Sequence, residues 1–244
     1  MLTSLEIRLE SEGAINLHMA SLFQGALMEM LPSEYAESLH ISQLHPYTQY
    51  IYKKEDSYYW VINCLDEEAY RLILEGCLQN CRELEIKKHD LKVRLCDRKM
   101  TTLSYKELSK SFYMQDSSPY IHVHFVTPTA FKQQGRYVFF PDLRLIYRSL
   151  MSKYDAVVKA EQLLDEETLD ELAEQSEIVD YRLRSVNFHL EGVRINSFMG
   201  DITIRIHGPQ TMANFANMLF RFGAYSGVGI KTGIGMGAIR IEGR

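Results

Sequence analysis

An α+β fold in which the element order βαββαβ occurs twice is predicted by three observations. Some stretches alternate apolar and polar residues with period two, and others repeat apolar residues at helical spacing. The two kinds follow one another in the same order in each half of the 244-residue chain. Turn-forming clusters, Lys53-Lys54-Glu55-Asp56, His89-Asp90 and Glu191-Gly192, interrupt the apolar runs where chain reversals belong. Two ferredoxin-like units in tandem, joined near Gln115-Asp116-Ser117-Ser118-Pro119, account for length and order, with domains at 1–115 and 116–244.

In the first half, Leu5, Ile7 and Leu9 alternate as a strand. Leu22, Phe23, Ala26, Leu27 and Met30 mark a helix over 17–31, and Pro32-Ser33 opens a short second helical turn that ends near His40. Residues 47–52 and 58–63 read as strands, 67–78 as an amphipathic helix, and 84–93 as a strand or hairpin bent at His89-Asp90. In the second half, 120–126 alternates as a strand, 143–154 is helical, and 181–190 and 193–206 pair as strands across Glu191-Gly192. A helix over 210–222 then precedes a final strand at 238–241. Tyr105, Phe112 and Tyr113 are expected to pack beneath a sheet or at the domain seam, since no aromatic signature for base stacking is present.

With 46% hydrophobic residues the chain buries a sizeable core, which excludes a disordered protein. No window approaches the ~20 apolar residues of a membrane span. The start, Met1-Leu2-Thr3-Ser4-Leu5-Glu6, lacks the basic region and apolar run of a secretion signal, so a cytoplasmic protein is expected. Cys64, Cys77, Cys81 and Cys96 form no Cys-x-x-Cys pair and read as buried free thiols. His122 and His124 share one strand face without a carboxylate or thiol at ligand spacing, so neither a metal nor a cofactor is expected.

The net charge of −5 argues against a nucleic-acid partner until its distribution is considered. Residues 155–180 hold ten acids and one lysine, leaving 22 acids against 26 bases elsewhere. The acidic segment 161–172 reads as a solvated helix turned away from any RNA, and a basic face remains available.

The densest signal is Gly227-Val228-Gly229-Ile230-Lys231-Thr232-Gly233-Ile234-Gly235-Met236-Gly237, five glycines in eleven residues around one lysine. Such glycines allow positive φ and bring backbone N–H groups close to a ligand, most naturally a phosphate chain. A nucleotide P-loop is excluded because Ile230 precedes Lys231 and the loop runs from helix to strand. The dinucleotide-binding glycine fingerprint fails for the same reason.

Read as Gly-apolar-Gly, five residues, Gly-apolar-Gly, this segment resembles the C-terminal glycine motif of the repeat-associated RNA-binding proteins of CRISPR systems. Thr127-Pro128-Thr129-Ala130-Phe131-Lys132 followed by Phe140-Pro141 is similar to the middle signature of the branch that cuts CRISPR repeat RNA. Leu39-His40 with Pro46-Tyr47-Thr48 is similar to its N-terminal histidine region. The three stand in the family's order and span nearly the whole chain.

The resemblance implies a tandem ferredoxin-like, metal-independent endoribonuclease whose substrate is CRISPR repeat RNA (pre-crRNA). It leaves open a transient association with a CRISPR effector complex and a homodimer. Metal-free cutting uses the ribose 2′-hydroxyl as nucleophile, with one group taking its proton and another protonating the leaving 5′-oxygen, each typically worth ~10²–10⁴-fold. On its residues alone His40 is a helix-terminal histidine favoured by the dipole; by resemblance it is the catalytic histidine, with Tyr35 where some members place an assisting tyrosine. The lysine that other members carry has no clear counterpart, since Pro46 occupies one alignment and His45 lies beside it. His45, Lys53 or Lys54 can supply that second group.

RNA contacts are expected from the loop amides of Gly227, Gly229, Gly233, Gly235 and Gly237, from Lys231, and from basic residues of which Lys132 and Arg136 are the foremost. Lys87, Lys88, Lys92, Arg94, Arg144 and Arg148 extend that basic set. Gly235→Val is expected to weaken RNA binding in a protein that stays folded. A noncatalytic RNA-binding subunit of a CRISPR effector is the alternative; it shares fold and glycine loop but needs no histidine region. A small-molecule enzyme or regulatory module explains the topology but not the three ordered motifs.

Overall fold

The computed structural model describes residues 1–42, 44–114, 116–158, 162–190 and 192–242. Its contacts form two compact units, Met1–Thr102 with Gly233–Gly235, and Leu103–Thr232 with the chain from Met236 onward.

In the first unit, β1 (Leu2–Ser11) buries alternate residues and is followed by α1 (Ala20–Met30) and α2 (Ser33–Ile41). The hairpin β2 (Tyr47–Lys54) and β3 (Ser57–Cys64) comes next, then α3 (Glu67–Ala69), capped by the Asp66 side chain. The chain continues from α3 as a π-helix over Tyr70–Leu78. An α-helix is the sequence expectation here, but the buried residues pair at intervals of five as well as four, Ala69 with Leu74 and Ile73 with Leu78, matching the wider turn. A second hairpin, β4 (Glu83–Ile86) and β5 (Leu91–Leu103), turns through Asp90 at φ 47. The sheet order is β2-β3-β1-β5-β4. Ile7, Phe23, Leu27, Trp60, Ile62 and Ile73 fill the core between sheet and helices, with Phe23 edge-on to Trp60 at 5.2 Å.

The second unit opens with α4 (Tyr105–Met114) and β6 (Tyr120–Thr129), followed by a short hairpin, β7 (Phe131–Gln133) and β8 (Arg136–Val138). Gln134 and Gly135, both at positive φ, form its two-residue turn. Then come α5 (Leu143–Val157), α6 (Glu166–Glu174), β9 (Ser176–Leu190), β10 (Val193–Ile206), α7 (Gln210–Ser226) and β11 (Ile239–Glu242). The sheet order is β11-β6-β10-β9, the order that two split βαβ crossovers produce. Apart from the β4 edge strand, the first sheet repeats it, so the fold is α+β with tandem ferredoxin-like domains.

Three details depart from the sequence reading. The helix α4 packs on α7, with Phe112 and Phe215 at 5.9 Å, so contacts divide between Thr102 and Leu103 rather than at 115/116. Gln115 itself, like Glu191 of the β9–β10 turn and Glu161 of the acidic segment, lies outside the described residues. The acidic helix α6 is solvated on one side only: Leu169 and Leu172 are buried, and Glu166 and Asp170 hold Arg144 and Arg148. Cys64, Cys77, Cys81 and Cys96 are all free thiols, of which only Cys64 is fully buried. Among the described residues no helix is long and apolar enough to cross a membrane.

Candidate active site and nucleic-acid interface

Pro32 fixes the turn into α2, and Tyr35 and Leu39, four apart, seat that helix on the core of the first unit. The next position, His40, is therefore left exposed in the last helical turn. His45 follows in the loop before β2, half-buried, its ring tilted against Tyr47 at 5.7 Å. A Cβ built on Gly233 would stand 3.3 Å from the His45 ring and 3.6 Å from the Tyr47 ring, so the tip of the glycine loop closes over this pair.

Burial lowers the His45 pKa below the usual histidine value and the nearby His40 imidazole lowers it further, which favours a neutral ring. His45 Nδ1 and the Tyr35 hydroxyl are both buried without a hydrogen-bond partner. Orphaned polar atoms of this kind are rare and mark functional or hydrated sites. Burial, with Asp66, Cys64, Glu68 and Tyr47 adding, pushes the Tyr35 hydroxyl pKa up, so it stays protonated. The Tyr47 hydroxyl is pushed up to about 12 by burial and bonds the Gln24 side chain. Beneath it the Gln49 amide donates to Ala20 O at 3.0 Å and accepts from Trp60 Nε1 at 2.8 Å.

Lys53 and Lys54 do not join the histidines. They end β2 where Tyr47 begins it, about 20 Å away at ~3.3 Å per residue. Lys53 is further engaged with Asp56 at 4.0 Å and over the Tyr58 ring at 5.7 Å. Of the residues named from sequence as the second group, the structure brings only His45 to His40.

The glycine loop is built differently from a free cradle. Gly227, Gly229, Gly235, Gly237 and Lys231 all have positive φ, as dense glycine predicts. Yet a Cβ at Gly229 would collide with Ala130 O, one at Gly237 with Val228 O, and one at Gly235 with the Ala20 Cβ. The close approach these glycines permit is to the protein's own chain. Several loop amides are likewise committed: Ile230 N donates to Ala130 O at 3.0 Å, Gly237 N to Pro128 O at 3.0 Å and Ala238 N to Thr127 Oγ1 at 3.0 Å. Val228 N donates to Gly237 O at 2.8 Å and Gly229 N to Ser149 Oγ at 2.9 Å. The Thr127–Ala130 motif is thus the bed of the glycine motif. Gly235→Val is accordingly a packing lesion against Ala20, not a clean probe of ligand approach.

Lys231 is exposed at φ 58. Lys132 and Arg136 are exposed on the β7–β8 hairpin, where Lys132 pairs with Tyr137 and Arg136 with Gln133, so the two cations alternate faces of the ribbon. The wider basic set is largely compensated, since Lys87, Lys92, Arg94, Arg144 and Arg148 each lie in ion pairs. His122 Nδ1 meets Thr203 Oγ1 at 3.0 Å, and His124 Nδ1 meets Asp201 across the strand at 2.6 Å. No group of three metal-ligating side chains occurs among the described residues.

Gln24, Gln49, Ser149 and Lys153 were not singled out by the sequence. Lys153 carried a readable signal, since it falls on the apolar face of α5 set by Ile146, Leu150 and Tyr154, where a charge is out of place.

A family profile described as CRISPR-associated endoribonuclease Cas6 matches residues 123–239. The chain is 37% identical over 227 residues to the CRISPR-associated endoribonuclease Cas6 of Streptococcus thermophilus, covering 93% of this chain and 92% of that one. It is 32% identical over 242 residues to the protein of the same name from Mycobacterium tuberculosis (strain CDC 1551 / Oshkosh), covering 98% and 76%. Among solved structures, a Cas6 product complex superposes with a TM-score of 0.82 at 22% identity over 99% of both chains. Thermus thermophilus Cas6 superposes at 0.74 and 22% identity over 99% of this chain and 98% of that one, a likeness of fold. At the identity and coverage of those two sequence relatives, the chain belongs to the Cas6 family of CRISPR-associated endoribonucleases.

Proposed function

We propose that this protein cuts CRISPR repeat transcripts (pre-crRNA) into guide RNAs without a metal, through attack of the substrate's own 2′-hydroxyl on the adjacent phosphorus. The single observation that carries the reading is the His40–His45 pair, one imidazole exposed at a helix end and the other half-buried beside it under the glycine-loop tip. His45, held neutral by burial, accepts the 2′-hydroxyl proton. His40 donates a proton to the departing 5′-oxygen. The 2′-oxygen gains its bond to phosphorus as the 5′-oxygen loses its own, leaving a 2′,3′-cyclic phosphate and a 5′-hydroxyl. Tyr35 assists from the buried face of α2, anchoring the helix that carries His40. Lys231, Lys132 and Arg136 act as point charges on RNA phosphates, and the Gly227–Gly237 loop shapes the surface that presents Lys231.

Fold neighbours support the reading, since they include a Cas6 product complex, a Cas6 substrate mimic complex and a histidine-to-alanine Cas6 variant. The test is cleavage of a CRISPR repeat RNA in excess chelator with analysis of both new ends. Undiminished cutting with a cyclic phosphate and a kinase-reactive 5′-hydroxyl is expected. Loss of cutting in chelator, or a 5′-phosphate and free 3′-hydroxyl, overturns the mechanism.

A further inference from the structure

Lysine is among the residues least often fully buried, and Lys153 is 7% exposed toward the C-terminal end of α5. Its ammonium donates to two backbone carbonyls, Gly227 O at 3.0 Å and Ser226 O at 3.2 Å, where α7 ends and the glycine loop begins. One helical turn earlier on the same helix, Ser149 Oγ accepts from Gly229 N at 2.9 Å. Ser226 Oγ donates a second bond to Gly227 O at 3.1 Å. Of the three consecutive glycine-motif residues, Gly227 and Gly229 are therefore held by one face of α5 and Val228 by Gly237 O, with Ala130 O packed against Gly229 and bonded to Ile230 N.

Burial alone moves the Lys153 ammonium down to about 7, with no charged side chain contributing. An isolated cation without a carboxylate partner costs stability that an apolar residue of the same length does not. A core needing only packing has no use for it. What the ammonium supplies is donors to the last carbonyls of α7, the negative end of that helix dipole. Those carbonyls sit where the chain turns to positive φ at Gly227.

We infer that Ser149 and Lys153 are positioning residues for RNA binding: from one face of α5 they set the path of Gly227 to Gly229, and through it the presentation of Lys231. The inference rests on the reading that the glycine loop touches the repeat RNA, and the test separates the two. Repeat RNA affinity and the single-turnover cleavage rate at saturating RNA are measured for Lys153→Met, which keeps the apolar stem, for Ser149→Ala and Ser149→Thr, and for Lys231→Ala. Ile146→Val on the same helix serves as a packing control.

Lys153→Met is expected to weaken binding about tenfold and Ser149→Ala several-fold, each leaving the saturated rate within about threefold. Ser149→Thr, which keeps the hydroxyl, and Ile146→Val are expected to bind as the parent does. If Lys153→Met does not fold, the Ser149 pair carries the test alone. Weaker binding by Lys231→Ala with parental binding by Lys153→Met and Ser149→Ala overturns the positioning role and spares the loop's RNA contact. Parental binding by all of them overturns both. Equal weakening by Ile146→Val reduces the effect to packing and also overturns the inference.

Discussion

At the scale of single residues, the two histidines have unequal surroundings, and that inequality makes separate predictions. His40→Ala is expected to slow cleavage by ~10²-fold or more while RNA affinity stays within a few-fold, because a proton-transfer group acts mainly in the transition state. Single-turnover kinetics beside a binding isotherm check this. His45 is needed neutral, and its pKa is lowered by burial, so cleavage should hold as pH falls through the ordinary histidine value of 6.5 and fail only below it. A His45→Ala variant should lose that acid limb along with most of its rate. Lys153 makes a pH prediction about stability. Its folded pKa is about 7 against 10.5 when free, so between those values the unfolded chain binds more protons and stability rises with pH. Relative to Lys153→Met, the parent should gain up to about 1.4 kcal/mol per pH unit across that window; an equal change in stability between pH 7.5 and 9 for parent and variant, read from urea titrations, would mean that the folded chain keeps the Lys153 proton and contradicts the lowering of its pKa by burial.

At the scale of elements, the glycine loop and the strand end beneath it form one structure. Thr127 is 4% exposed and its hydroxyl accepts the Ala238 amide, so Thr127→Val leaves a buried donor unpaired and should cost about 1–3 kcal/mol. Gly229→Ala meets both a positive φ and the Ala130 carbonyl, and should cost more than about 1 kcal/mol. Chemical unfolding of both variants checks the coupling. Alternation and helical spacing made β1, β6, α1, α5 and α7 legible in the sequence, because in each the buried positions follow the element's own period. The π-helix Tyr70–Leu78 was not legible, since Tyr70, Leu72 and Cys77 are apolar too and only folding shows which of the apolar positions are buried. The β7–β8 hairpin was too short to show a period, and its Gln134-Gly135 turn is an uncommon pairing. Glycine density did announce the loop's backbone conformation, but not that the space left by the missing side chains is filled by Ala130, Val228 and Ala20. Spacing alone cannot tell a ligand from a neighbouring strand.

At the scale of the whole molecule, part of the basic set of a chain of net charge −5 is spent on its own acids. The acidic stretch holds Arg144 and Arg148 in ion pairs, and Glu29, Glu83 and Glu10 hold Lys87, Lys92 and Arg94. Neutralising Lys231, Lys132 and Arg136 together is expected to reduce the slope of log affinity against log salt by about 2–3. An unchanged slope would move the RNA to another face. The candidate site was legible in the sequence as far as its motifs: His40 and His45 could be named, but only folding shows that Lys53 and Lys54 lie a strand's length from them and that Gly233 covers His45. The central claim is that the nucleophile belongs to the RNA, and a single substrate substitution tests it. A repeat RNA with a 2′-deoxy residue immediately 5′ of the scissile phosphate should bind with parental affinity and remain uncut over many half-lives of the unmodified substrate. Cleavage of that RNA at a rate within a few-fold of the parent would show that water, not the ribose, attacks, and the account would fail.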